Sequence, residues 1–214
     1  MMKNRIAGTK RDVIIEAAKS VFIRHGYNKS TVQMIAEKAG TTRSLVNYYF
    51  PKKSDILVTM MGNYMNSINE YVLEYTDEDP LMVYMITHCI YILGMLRTPR
   101  SRAFQKDLSL RPDRDLGPYN NYRNMHSGII ELFELKYTEE ELILKEAAIF
   151  GMHTELTLSW LNNVIDVSKE KLIETILINV CQIFGIHEFI VRQYIKRLWA
   201  EIDKLGDISH LVFH

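Results

Sequence analysis

Apolar positions recur along this chain at helical spacing, and glycines and prolines cut the pattern into segments. Ile14, Ala17, Ala18, Val21 and Phe22 fall at i, i+3, i+4, i+7 and i+8, which predicts an amphipathic helix from Lys10 to a stop at Gly26. A second helix is expected over 30–39, with Ser30 and Gln33 as a capping box, Val32, Ile35, Ala36 and Ala39 inward and Gly40 as its end. Thr41 or Thr42 can cap a short third helix running to about Tyr48, and Pro51 blocks its continuation.

Longer helices follow. Ile56, Leu57, Met60, Met61, Tyr64, Ile68, Tyr71 and Val72 mark one side of a helix over 54–76, and a mostly apolar helix is expected over 81–96. The stretch 97–118 reads as loop around a short helix near 101–110, and another helix covers 119–135. Thr138 and Glu141 form a second capping box at the start of a helix over 138–163; the next spans 168–184. Both are apolar on more than one face, so each needs cover on two sides, and a second copy of the chain is the expected cover. A final helix after Gly185 carries one apolar stripe from Val191 to Leu205. No strand pattern competes. The expected fold is all-α: an N-terminal three-helix helix-turn-helix domain, 1–53, and a larger helical ligand-binding and dimerisation domain, 54–214.

Composition rules out wholesale disorder, at 47% hydrophobic and 24% charged residues. The formal net charge of zero conceals a division. Residues 1–53 hold 11 Lys and Arg against 3 Asp and Glu, or +8, and the rest of the chain carries −8. Such asymmetry gives the basic end an electrostatic task, with nucleic acid or an anionic surface as partner. Cys89 and Cys181 stand far apart, no secretory leader pattern begins the chain, and no long uncharged apolar run occurs. A reduced cytoplasmic protein with no membrane partner is expected. Phosphate-binding glycine loops, His-Glu-x-x-His, Gly-x-Ser-x-Gly and zinc-spaced Cys and His are all missing, so no enzyme, cofactor or metal site is expected.

In a helix-turn-helix the second helix lies in the major groove and must present groups for base edges and phosphates. Here that helix reads Thr41-Thr42-Arg43-Ser44-Leu45-Val46-Asn47-Tyr48-Tyr49. Arg43 can fork to guanine and Asn47 can pair with adenine, and at four residues apart they share a face. Thr31, Thr42, Ser44, Tyr48, Lys52 and Lys53 suit phosphates; Tyr49 suits either DNA contact or packing, and Val46 and Phe50 belong to the small core.

These residues resemble the TetR family of bacterial transcriptional regulators. The likeness rests on His25-Gly26-Tyr27, on the run from Ser30 to Gly40, and on Leu45-Val46-Asn47-Tyr48-Tyr49-Phe50-Pro51-Lys52-Lys53-Ser54-Asp55. It implies a homodimer that binds a pseudo-palindromic double-stranded operator and lets go when a small-molecule effector occupies the larger domain. Three positions depart from the family pattern: Thr41 stands where valine is usual, Asn47 where tyrosine is frequent and Tyr49 where histidine is frequent, and these bear on which operator is read.

An effector chamber is expected between the helices from Tyr64 to Leu135, with His88, Tyr91, Met95, Tyr122 and His126 as its candidates and a largely apolar ligand. The homodimer is expected to form through 138–163 and 168–184, and coupling between the two domains through the helix over 54–76. The competing reading is a helical interaction protein whose basic unit docks on a protein or anionic surface.

Overall fold

The computed structural model describes residues 9–111 and 120–211, with 120–125 and His210 described by backbone alone. Ten α-helices and one short 3-10 turn make up the described residues, with no strand among them. In chain order the helices are α1 (Lys10–His25), α2 (Val32–Lys38), α3 (Arg43–Tyr49), α4 (Lys53–Tyr75), α5 (Pro80–Leu96), α6 (Pro99–Ser109), α7 (Asn120–Leu132), α8 (Glu139–Leu161), α9 (Lys169–Ile183) and α10 (Glu188–Lys204).

Local chemistry starts and stops these helices. Thr9 caps α1 by accepting from Asp12 N, and the Asp12 carboxylate accepts from Thr9 N in return. At the far end Gly26 takes φ +80°, a conformation that L side chains rarely adopt. Thr31, rather than Ser30, caps α2 by accepting from Met34 N. Ser30 is buried and its hydroxyl donates to Gly26 O at 2.6 Å, while Gln33 pairs with Glu37, so the expected capping box does not form. The reason is competition, since a buried hydroxyl needs a partner and the carbonyl of Gly26 is nearer at hand. After α2, Gly40 N donates to Glu37 O and Thr41 N to Ala36 O, closing the helix in a Schellman motif. Thr42 then caps α3 through Leu45 N.

Ile14, Ala18, Phe22, Tyr27, Ile35, Val46 and Phe50 form the small core that holds α1, α2 and α3 together. From there α4 runs through 23 residues, roughly 35 Å at helical rise, and packs along α5. α5 is the hub: nearly all its residues are buried, and α4, α6, α7, α9 and α10 surround it. α8 and α9 lie side by side at one flank. Tyr71 donates to Leu205 O and Tyr194 to Asp79, tying α10 across the body. Of the stretch 97–118, expected as loop around a short helix near 101–110, the part 112–118 lies outside the described residues, and the helix is α6.

Candidate nucleic-acid interface and effector chamber

α3 faces outward with its polar residues. Arg43, Ser44, Asn47 and Tyr48 are exposed, Tyr48 to 77%, whereas Val46 and Phe50 are buried below them as the pattern predicts. Thr31 and Thr42 cap the two helices through their hydroxyls, which leaves both residues at the outer rim of the unit. Lys52 is exposed. Tyr49 is half-buried against the core and stacks edge to face with Tyr48 at 5.2 Å, so it packs.

Lys53 differs from the expectation of a phosphate contact. Its ammonium donates to Tyr27 O at 2.8 Å and Ser30 O at 3.0 Å and lies 4.1 Å from the Tyr27 ring centre. Two carbonyls at the α1–α2 turn, left over where the helices end, accept from this ammonium. The same turn is gripped from the other side by Asp107 of α6, whose carboxylate accepts from Asn28 N at 2.8 Å and Asn28 Nδ2 at 2.9 Å. A Cβ on Gly26 would stand only 3.2 Å from that carboxylate, a second reason for glycine here.

Inside the body lies a cavity of about 100 Å³. Leu57, Met61 and Met65 of α4, Tyr84, His88 and Tyr91 of α5, Gln105 and Leu108 of α6, and His126 of α7 contribute to it. Ile149, Phe150, His153 and Thr154 close it from α8. His88, Tyr91 and His126 stand where the sequence suggested. His88 and His126 flank Tyr84, with ring centres 5.4 and 5.5 Å from it. Met95 is buried but stands beyond the cavity, because Tyr64 packs on Tyr91 and over Gly94 and ends the space there. Tyr122 belongs to α7, but its side chain lies outside the described residues.

Burial sets the charge of this chamber. It pulls His88 well below the ordinary histidine range, helped by His153 and His126 nearby, and brings His153 to about 4. Both rings are therefore neutral at pH 7. Burial also raises Tyr84 well above the usual tyrosine value, so its hydroxyl keeps its proton. Cys181 is pushed up to about 12 by burial, and both cysteines are inert thiols in the core. No group of three or more His, Cys, Asp or Glu placed to hold a metal ion occurs among the described residues.

α8 has an inverted polarity. Its inward stripe is Glu146, Ile149, Phe150, His153, Thr154 and Thr157, at i, i+3, i+4, i+7, i+8 and i+11, largely polar. Apart from Ile149 and Phe150, many of its apolar residues lie toward the outer side: Leu144 is 69% exposed, Ile143 39%, and Leu156, Leu158, Trp160 and Leu161 are half-buried, Leu156, Trp160 and Leu161 resting partly on the core. No single helix among the described residues is long and apolar enough to cross a membrane.

Residues 14–60 match the family described as bacterial regulatory proteins, tetR family. The fatty acid metabolism regulator protein of Bacillus subtilis (strain 168) is 27% identical over 162 residues, covering 70% of this chain and 82% of that protein. The HTH-type transcriptional repressor BepR of Brucella suis biovar 1 is 39% identical over 56 residues, 26% of this chain and 27% of its own length. Among solved structures, the TetR-family repressor FadR of Thermus thermophilus, in complex with lauroyl-CoA, superposes with a TM-score of 0.56 at 17% identity over 82% of this chain and 93% of that one. That superposition speaks for the fold. The relatives are transcriptional regulators, and the competing reading of a docking protein gains nothing from them. With an exposed polar α3 in front of an all-helical body, residues 14–60 carry the unit that matches the tetR family of bacterial regulatory proteins, and the chain is a DNA-binding transcriptional regulator.

Proposed function

We propose that the protein is a homodimeric repressor of the bacterial cytoplasm, with 1–53 as its DNA-binding domain and 54–214 as its effector and dimer domain. It binds a pseudo-palindromic operator and releases it when a small molecule fills the chamber. The observation that carries this reading is the outer face of α3, where Arg43 and Asn47 stand exposed four residues apart on a helix whose other side is locked into the core. Arg43 and Asn47 read bases; Thr31, Thr42, Ser44, Tyr48 and Lys52 hold phosphates. Tyr49 and Lys53 keep the unit in shape.

The dimer is supported by the uncovered apolar side of α8, which a second copy of α8 and α9 would bury. Two α3 helices then meet one duplex on the same face, as half-sites one helical turn apart require.

Release works through two helices that touch both domains. α4 lines the chamber with Leu57, Met61 and Met65 and grips the α1–α2 turn with Lys53. α6 lines it with Gln105 and Leu108 and grips the same turn with Asp107. An effector that widens the gap between α4 and α6 pulls on one turn from two sides, and the α3 helices of the dimer lose their spacing. Such an effector favours the widened state by the difference in its affinity for the two states.

Selection of bound duplexes from a random pool tests the reading. The expected result is one inverted repeat with half-sites about one turn apart, bound by a particle that sediments as a dimer at micromolar concentration. Recovery of unrelated sequences, or a monomer at that concentration, contradicts it.

A further inference from the structure

The chamber is small and its wall mostly apolar, with a few buried polar atoms set into it. Among the described residues the Tyr84 hydroxyl, Gln105 Oε1 and His153 Nε2 are buried with no hydrogen-bond partner. Tyr84 is 1% and Gln105 8% exposed, and all three residues line the cavity. Polar groups removed from water are nearly always paired, so three such atoms around one space mark what is meant to fill it. An amide oxygen accepts only, and a neutral histidine nitrogen or a tyrosine oxygen can also accept, so the wall asks for donors. The rest of the wall includes the flat rings of Tyr91, Phe150 and His88 and the thioethers of Met61 and Met65, together with aliphatic Leu57, Leu108 and Ile149 and the buried Arg111. Rings and thioethers favour an aromatic guest.

Size narrows the choice. A cavity of roughly 150 Å³ holds benzene, and this one is about 100 Å³. One ring comes nearest to that volume, and its entry needs the helices to move apart somewhat. An acyl chain as long as laurate does not, and it would leave all three polar atoms unpaired, which a site built for hydrogen bonds rejects strongly.

Resting on the reading of the chamber as the effector site, we propose that its ligand is a compact, single-ring aromatic molecule carrying O–H or N–H donors, of the phenol and benzylic alcohol class. The donors meet Gln105 Oε1 and His153 Nε2, and the ring lies between the methionines of α4 and the aromatic side chains of α5 and α8.

The test is calorimetric titration of the full-length protein, without DNA, with catechol and tyrosol, each against its methyl ether, and with laurate and lauroyl-CoA. The proposal expects catechol or tyrosol to bind at least tenfold more tightly than its ether and more tightly than either acyl compound. Tyr84→Phe removes one unpaired hydroxyl and keeps the ring, so it should leave the melting temperature of the free protein unchanged or higher while weakening the phenol about tenfold. Gln105→Leu should weaken it similarly. Tighter binding of laurate or lauroyl-CoA, equal binding of phenol and ether, or no binding of either phenol because only water occupies the cavity overturns the proposal. A Tyr84→Phe protein that melts lower with its phenol affinity intact does so too, since the hydroxyl would then be structural. These outcomes concern the ligand class alone; operator binding in the same samples reports separately on the regulator reading.

Discussion

The outer face of α3 and the inner wall of the chamber are both polar surfaces, yet they stand in opposite relation to water. Arg43, Ser44, Asn47 and Tyr48 are solvated, cost the fold nothing and wait for a partner that brings its own charge. Tyr84, Gln105 and His153 have been taken out of water and carry a standing penalty until something pairs with them. Recognition on the outside can therefore be altered without touching stability. In the chamber the two are coupled.

The largest test of that contrast is acid. His153 has a folded pKa of about 4, below the ordinary value near 6.5 for an unfolded chain. Between those values the unfolded state binds the proton and the folded state does not, so stability is complete above about pH 6.5 and falls as the pH drops toward 4. The loss from this one group is on the order of 3 kcal/mol, and His88, shifted in the same direction, adds to it. Urea denaturation across that range should show the decline, and His153→Phe should flatten it. A wild-type profile with no slope there would mean that the rings are not held neutral.

Outside, Arg43→Ala should cost about 1–3 kcal/mol of affinity for the best operator and relax base preference at one position, while the melting temperature stays put. Lowered stability would show that α3 is not the free face it looks. Between the two regions, Asp107→Ala removes a carboxylate that takes two hydrogen bonds from Asn28. Operator affinity should change by about 1–2 kcal/mol, and the response to a chamber ligand should shrink, whereas a variant with full response would take α6 out of the coupling. Smallest is Lys52→Ala, which should weaken all duplexes alike and flatten the salt dependence by about one unit of slope.

Much of the fold was legible because its signals are local. Thr42 and Thr138 each cap a helix within three residues of sequence, and Gly26, Gly40 and Gly185 follow helix ends at positive φ. The α2 cap slipped by one residue because Ser30 found a carbonyl that only the folded turn provides. Lys53 looked like one more lysine of a basic cluster, and only tertiary structure puts Tyr27 O and Ser30 O beside it. The chamber was legible on α5, where His88 and Tyr91 sit on a plainly apolar helix, and much less so elsewhere. Gln105 and His153 come from helices far apart in sequence. One signal was available: the stripe from Glu146 to Thr157 is the polar line on an otherwise apolar α8, and a polar line at helical spacing on such a helix points inward when the apolar sides are needed for a partner.

The most direct test of the central claim, that the exposed face of α3 reads DNA sequence, is the ratio of affinities for a selected duplex and a scrambled duplex of equal length, followed through a salt titration. The account predicts a ratio of about a thousand or more near physiological salt, with both affinities falling steeply as salt rises. Equal affinity for the two duplexes would contradict it.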